Sequence, residues 1–427
     1  MRIRDPIHGT ITVSDEETEI VDSRFYQRLR NVRQLGFGDL AFPGATHTRH
    51  AHSLGAMHVA SKLFDAATAK ADLSTPARFR FRAAVRLAVL CHDLGHMPLS
   101  HASEKIAPRR ALLKLPTWTD TGEEFASHED FTARILLDSE LTRTITEVYA
   151  NAGVTPLDVA SLVTGREAPN SSGFRDGGID WAPLLRAMVS GELDADRMDY
   201  LLRDSFYTGV NYGRYDVDWV LQNLNAAVLD GRAVLALSRA AVFAFEDFLL
   251  SRYHMFLSVY YHHTSVSFDH MLRQYYEEAP GEFEIPADPD AFLTCDDVAL
   301  IHTLRASKNR WAQRIVTRRG FRRMVQFTER DQGYDMAELS SALTQAGLEH
   351  YSVESRGVLS KYFDEGSSPS LFVLDKSSGR LTEVSAYTPL YQRFSGAVRL
   401  SRLYVRPDQV AAAQPLISKL TGGLGHE

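Results

Sequence analysis

The chain has 427 residues, Lys plus Arg 47 against Asp plus Glu 54 and a formal net charge of −7, which allows a sizeable core and a smaller second unit but excludes a generally basic, nucleic-acid-binding surface. Two cysteines, Cys91 and Cys295, exclude a disulfide framework and a four-thiolate zinc site, leave His and carboxylates as metal ligands, and suit a reducing cytoplasm. No apolar run approaches roughly 18 residues and MRIRDPIHGTITV lacks a signal-peptide core, so a cytoplasmic protein without a membrane partner is expected.

The opening IRDPIHGTITVSDEE alternates apolar and polar residues around His8-Gly9, which predicts a short hairpin or an extended arm. From Glu16 onward, Ile20, Val21, Phe25, Leu29, Val32 and Leu35 follow helical spacing as far as Gly36. Helical patterns recur at 50–70, 77–96, 127–150, 155–164, 180–203, 215–225, 240–277 and 297–315, so the chain reads as mainly α. PRRALLKLPTWTDTGEEF (108–125) and GREAPNSSGFRDGGIDWAP (165–183) break the periodicity with Pro, Gly and Ser and read as surface insertions. Beyond about residue 320, SPSLFVLDKSSGRLTEVSA predicts two strands joined at Ser378-Gly379, and RLYVRPDQVAAAQPLISKL a strand followed by a helix. A helical core over 1–320 and a small α+β lobe over 321–427 follow.

Chemistry concentrates early: nine of the sixteen histidines lie within the first 128 residues. LAVLCHDLGHMPLSH (87–101) sets His92 and Asp93 at the end of an apolar run, with His96 and His101 close behind. Imidazole and carboxylate suit Fe, Mn, Zn or Mg, and an adjacent His-Asp pair can reach one ion if other helices deliver the remaining ligands. Spacing alone also pairs His92 with His96 as an i, i+4 chelate. A single His beside an apolar run is more often a hydrogen-bonded core or surface residue, the reading given to His47, His50, His58 and His350; Cys91 reads as small core.

Three pieces in order say more: HTRHAHSLGAMHVA (47–60), CHDLGHMPLSH (91–101) and LDADRMDYLLRD (193–204). Together they resemble the H…HD…D metal signature of the HD-domain phosphohydrolases. Within that family the chain is most similar to the deoxynucleoside triphosphate triphosphohydrolases, in particular the catalytic domain of the type that carries an added sterile-alpha-motif module. The likeness runs from DPIHG (5–9) through FYQRLRNVRQLGFGDLAFPGATHTRHAHSLG (25–55) to the arginine-led helix after residue 250, and is weak in the C-terminal lobe. With DPIHG almost at residue 1, the added module is expected to be absent.

The resemblance implies a helical HD-domain phosphohydrolase core with His52, His92, Asp93 and Asp196 as metal ligands, and it moves His96 off the metal. His96, His101 and His128 then surround the α-phosphate, with Glu104 orienting His101 as a dyad. Arg49, Arg197 and Arg252 become the cations for phosphate, and Tyr260 stacks near the sugar. Tyr200 and Asp204, at i+4 and i+8 from Asp196, share a helix face with it and can grip sugar and phosphates. Gln34 and Leu35 join the substrate set, Gln34 with Asp204 as the pair that reads a 3′ hydroxyl. This division of labour has a physical basis. A metal lowers the pKa of bound water from about 15.7 toward roughly 7. A leaving 5′ oxygen needs a proton, and a His held by a carboxylate supplies it at a gain on the order of 10²–10⁴; accumulating phosphoryl charge needs fixed cations.

Asp22, Gln27 and Arg30 match the part of that type's first regulatory site that reads guanine, which implies GTP or dGTP as an allosteric activator. A plain ion pair at a helix start is the competing reading. Met1, Arg2 and Arg4 depart from the regulatory pattern, and Ser258 replaces a basic residue while His262 is kept. RWAQRIVTRRGFRRM (310–324) offers local positive charge for activator phosphates, a partner subunit or single-stranded nucleic acid, the last not favoured because aromatics are few. The expected function is metal-dependent hydrolysis of deoxynucleoside triphosphates to deoxynucleoside and inorganic triphosphate by a homodimer or homotetramer, using a divalent Mn, Fe, Zn or Mg ion and an additional Mg carried by the nucleotide. The alternatives are an HD-type phosphatase or phosphodiesterase acting on nucleoside monophosphates, cyclic nucleotides or nucleic-acid ends, and a nucleotide sensor without turnover.

Overall fold

Several helices in this chain start where a short polar side chain takes up a free backbone N–H. Ser74 caps Thr75–Cys91, Asp194 caps Ala195–Thr208, and Ser127 with Asp130 forms a capping box at His128–Leu137. The same device explains why several predicted runs are two elements. The 127–150 run breaks at Ser139, whose hydroxyl caps a second helix, Glu140–Val148. The 297–315 run becomes Asp297–Ala306 and Arg310–Val316 because Asn309 caps the latter. The 180–203 run becomes Ala182–Val189 and Ala195–Thr208, with Asp194 accepting from the N–H groups of Gly191 and Arg197 between them.

A computed structural model describes the chain except for residues 120–121, 170–172, 329–330, 332–333, 359–370, 395–396 and 423–427, and without the side chains of 101, 356–358, 392–394 and 397–398. The molecule is mainly α with a small α+β portion. The 77–96 run ends at Cys91, so His92 to Ser100 form a turn rather than more helix. The 16–35 run is Asp15–Val21 and Arg24–Arg28 with Ser23 capping the second. The 240–277 run is Val242–Met255, a π-helical turn Phe256–Tyr260, and His263–Glu278. The 215–225 run is half strand: after Val217–Gln222 the chain enters a hairpin, Leu224–Leu229 with Arg232–Ser238, turning at Asp230-Gly231 where both φ angles are positive. Asp-Gly is the residue pair such a turn demands.

The N-terminal arm is a hairpin, Arg2–Asp5 with Gly9–Thr12. Arg232–Ser238 is central to a mixed sheet, antiparallel to Leu224–Leu229 and parallel to Phe372–Asp375, which in turn pairs antiparallel with Arg380–Glu383. The two strands expected around Ser378-Gly379 therefore form, yet Leu371, Val373, Val384 and Tyr391 sink into the main apolar core, so this part of the 321–427 span packs with the helical body. A separate three-stranded sheet, Arg322–Thr328, Ala397–Val405 and His350–Val358 with Ala397–Val405 in the middle, is backed by Met336–Gln345 and Val410–Thr421.

Arg49–Thr68 is the central helix, packed against Thr75–Cys91 on one side and Ala195–Thr208 on another. The second contact is close because residue 55 is Gly: a Cβ there would collide with Arg203 and Asp199 of the neighbouring helix. Gly55→Ala should therefore lower stability by on the order of 1–3 kcal/mol, measured by urea denaturation.

Candidate functional site

Four side chains from three parts of the chain converge where the central helix, the 92–100 turn and Ala195–Thr208 meet. His52 Nδ1 donates to Asp199 Oδ2 at 2.8 Å, which turns Nε2 toward Asp196 Oδ1 at 3.0 Å and Asp93 Oδ2 at 3.8 Å. His92 Nδ1 donates to the Val89 carbonyl at 2.6 Å, and its Nε2 lies 3.3 Å from Asp93 Oδ1 and 3.6 Å from Asp196 Oδ1. Both Nε2 atoms are buried without a hydrogen bond. Each ring thus spends its proton outward and aims a lone pair at carboxylate oxygens.

The electrostatics ask for positive charge there. Burial opposes charging His52, yet the facing carboxylates of Asp196 and Asp199 outweigh it and raise its pKa to about 10, so positive charge is favoured where Nε2 meets Asp196. Burial likewise favours the neutral carboxyl of Asp93, but Arg49, then His92 and His96, hold it well below the usual range; His52 and His92 do the same for Asp196. Lone pairs of two imidazoles facing two carboxylates form the donor set that suits a divalent ion, so the residues fit the metal, with His52, His92, Asp93 and Asp196 to hold it.

Asp199 is the residue that sequence reasoning missed. Fully buried, it accepts from His52, from His8 Nε2 at 2.6 Å and from Arg203 through both oxygens at 2.8 and 2.9 Å. Asp5 completes the set, accepting from Arg203 Nη1 at 2.9 Å and from the backbone N–H groups of Ile7 and His8. This gives the DPIHG arm a role that its sequence alone did not disclose: it braces the ligand helix from behind.

Beside the metal-ligand set lies a second group. His96 Nε2 is 3.2 Å from Asp93 Oδ1, its ring stacks on His128 at 3.9 Å, and His128 Nδ1 donates to Glu104 Oε1 at 2.8 Å. Burial drives the His96 pKa well down, with Arg49 adding to it, whereas the Glu104 bond overcomes burial and raises that of His128. The described partner of Glu104 is thus His128; the side chain of His101, expected to pair with Glu104, lies outside the described residues. Arg49 donates from Nη1 to Asp93 at 2.7 Å and from Nε to Ser100 Oγ at 3.1 Å.

These groups open on a cavity of about 710 Å³ whose walls include Gln34, Leu35, Arg49, His92, Asp93, His96, His128, Asp196, Tyr200, Asp204 and Tyr260. Tyr260 donates to Asp204 Oδ2 at 2.9 Å, and His47 holds the other Asp204 oxygen at 2.8 Å, so His47 is a bonded core residue as read. Gln34 Oε1 is buried without a partner. Two expected phosphate cations are not on this wall: Arg197 lies against Glu192 and Asp194, and Arg252 beside Glu192 and Tyr200. The cavity takes further residues that sequence did not nominate, among them Tyr261, Asp269, Arg273 and Val353 to Ser355. Asp22, Gln27 and Arg30 are elsewhere: Gln27 donates to the Val21 carbonyl and accepts from Arg30 Nε at 2.7 Å, while Asp22 ends the Asp15–Val21 helix.

With this geometry in place, the comparisons with known proteins are decisive for the family. The HD domain model matches residues 49–203, and the HD associated region model matches residues 216–359. The chain belongs to the HD-domain family. It is 30% identical over 326 residues to the uncharacterized protein MJ1154 of Methanocaldococcus jannaschii, covering 76% of this chain and 60% of that one. It is 29% identical over 321 residues to the protein named deoxynucleoside triphosphate triphosphohydrolase SAMHD1 homolog in Dictyostelium discoideum, covering 72% and 55%. The chain therefore spans little more than half the length of these two relatives. A crystal structure of a hypothetical protein from Aquifex aeolicus superposes with a TM-score of 0.75 at 26% identity, covering 98% of this chain and 99% of that one. In these terms the HD domain carries all four ligand candidates with Asp199, while Gln34 precedes it and Arg252, Tyr260 and Val353 follow in or near the associated region.

Partners behind metal ligands typically matter 10–100-fold for affinity. Asp199→Asn should weaken Mn²⁺ binding by about that factor in titration calorimetry, while His52→Ala and Asp93→Ala should leave no stoichiometric metal by elemental analysis.

Proposed function

We propose that this HD-domain phosphohydrolase hydrolyses deoxynucleoside triphosphates at the α-phosphate, releasing deoxynucleoside and inorganic triphosphate. The observation that carries the reading is the shared cavity: the buried His/Asp set and the His96–His128–Glu104 group open on the same space as Gln34, Asp204 and Tyr260. The name of the Dictyostelium relative supports the substrate class. A divalent ion held by His52, His92, Asp93 and Asp196 would supply the acidity that makes water a nucleophile near neutral pH.

The chain's own residues do the rest. Asp199 and the Val89 carbonyl fix the two imidazole rings, and Arg49 brings fixed positive charge to the cavity beside Asp93. His128, whose protonated form Glu104 favours, is a proton donor for the leaving oxygen, a role also proposed for His101 on the family resemblance; His96, kept neutral, is a hydrogen-bonding group. The Tyr260–Asp204 pair and the unpartnered Gln34 oxygen offer an aromatic edge and acceptors to a sugar, with Leu35 beside the base. Arg252, whose Nε and Nη1 are buried without hydrogen bonds, would have to turn from its place off the cavity wall to meet the outer phosphates, with Arg197 next to it adding positive charge.

The position of those two arginines favours a second reading. Because Arg197 and Arg252 lie off the cavity wall next to Glu192, a ligand with a single phosphate would leave less charge unbalanced, as in a nucleoside monophosphatase or a phosphodiesterase. Regulation is proposed with the first reading: GTP or dGTP at Asp22, Gln27 and Arg30, and a dimeric or tetrameric assembly. Among the described residues no helix is long and apolar enough to cross a membrane.

Product analysis decides between the readings. Incubating the chain with each deoxynucleoside triphosphate, alone and in pairs, with Mn²⁺ or Mg²⁺ should yield tripolyphosphate and deoxynucleoside; stepwise orthophosphate would refute the triphosphohydrolase assignment. His101→Ala and His128→Ala should each cut turnover at least a hundredfold with metal content unchanged, and full activity in either would remove that residue from the proton-donor role.

A further inference from the structure

Leu99 and Ser100 are the one place, among the described residues, where two adjacent non-glycine residues both have positive φ, 53° and 59°. Side chains with a Cβ resist that conformation, and it persists only where the surroundings over-determine it. Both residues line the cavity. What holds them comes from outside the HD domain. Asp297, at the start of Asp297–Ala306 in the associated region, is buried and accepts from the Leu99 N–H through Oδ1 at 2.7 Å and from the Arg33 N–H through Oδ2 at 3.0 Å.

The consequence reaches the chemistry through one hydroxyl. Ser100 Oγ donates to the Arg33 carbonyl at 2.8 Å and accepts from Arg49 Nε at 3.1 Å, and the same guanidinium sits on Asp93 Oδ2 through Nη1 at 2.7 Å. The two oxygens of Asp297 therefore clamp together the segments that supply both Ser100 and its acceptor. Next to Asp297, the Cys295 carbonyl accepts from Arg28, which also donates to the His96 carbonyl at 2.8 Å and binds the other end of the turn to the same anchor. Gly36 leaves room for the Leu99 carbonyl, which a Cβ at 36 would meet at 3.1 Å.

We infer that Asp297 is a positioning residue for the proposed phosphohydrolase reaction: it fixes the left-handed Leu99-Ser100 turn and, through Ser100 Oγ, the direction of the Arg49 guanidinium over Asp93. The adjacent Asp296 differs: it caps the helix by accepting from the Ala299 N–H, and its one described long-range bond is from Asn31 Nδ2 rather than from the 94–100 turn. The inference rests on the functional reading above, because it is Arg49 and Asp93 that the clamp serves.

The test is a double-mutant cycle in the full chain with Mn²⁺ and a mixture of the four deoxynucleoside triphosphates: Asp297→Asn, Ser100→Ala, both together, and Asp296→Asn as the control for a lost cap. Residues acting through one another give non-additive losses. Each of the first two should lower kcat at least tenfold with KM within threefold, the double variant should fall no more than threefold below the poorer single one, and Asp296→Asn should keep kcat within threefold while lowering Tm. Amide hydrogen exchange of the peptide covering 94–103 should accelerate in Asp297→Asn and not in Asp296→Asn. Multiplying losses in the double variant, an equal kcat loss in Asp296→Asn, or unchanged exchange in Asp297→Asn would each overturn the inference. If the unmodified chain turns over no triphosphate, the functional reading fails, and the exchange comparison still decides whether Asp297 fixes the turn.

Discussion

The carboxylate on which the site depends never reaches the cavity. Asp199 is fully buried, and by accepting from His52 Nδ1 it decides which nitrogen of that ring faces Asp93 and Asp196. Arg203 balances its charge, His8 donates to it, and Arg203 in turn meets Asp5, so segments around residues 5, 52 and 200 are locked into one relative placement. Buried ion pairs add little net stability over an apolar alternative, but removing one partner strands the other and costs about 3–5 kcal/mol. The network therefore enforces arrangement more than it contributes stability, and Gly55 is the residue whose smallness lets the two helices come close enough to form it.

A second consequence of close packing is the contrast between neighbouring imidazoles. His96 and His128 stack at 3.9 Å, a distance at which two charged rings would repel. Glu104 on one side and Arg49 on the other separate them, favouring the proton on His128 and disfavouring it on His96. The backbone participates too: a Cβ at Gly95 would strike His128 and Thr132, so the HD turn lies directly on the His128–Leu137 helix, fastened by Thr132 Oγ1 donating to the His92 carbonyl and accepting from the Gly95 N–H. Ordinary packing thus sets the spacing between the His52–His92–Asp93–Asp196 cluster and the His96–His128–Glu104 group.

What was legible in the sequence is what local pattern encodes. The order of His52, His92-Asp93 and Asp196 pointed to a single centre through the resemblance that the three motifs carry, whereas spacing alone offered His92 with His96, two residues that the fold divides between neighbouring clusters. Helix breaks at Ser139 and Asn309 were written in capping residues, although apolar periodicity ran across them. Asp199 was hidden because it lies only three residues beyond Asp196 on a helix where a solvated acid is the ordinary expectation, and its partner His8 is 191 residues away. The same separation concealed the roles of Asp297 and of residues 353–355, which approach the cavity through long-range strand and helix packing. Arg197 was nominated by its nearness to Asp196 and Arg252 by the family resemblance, but the Arg197 side chain follows Glu192 and Asp194 and that of Arg252 lies toward Glu192.

The π-helical turn at Phe256–Tyr260 holds one residue more than a regular helical turn would. Phe256, Val259, Tyr260 and Tyr261 all come from or follow that widened turn, and all border the cavity. Excising a single residue there would restore regular winding and rotate everything downstream by about 100° relative to Arg252. The local deformation acts as a phase adjuster: chain length across these five positions, as much as side-chain identity, governs which surface the following aromatic rings present to the cavity, independently of the His52, His92, Asp93 and Asp196 cluster.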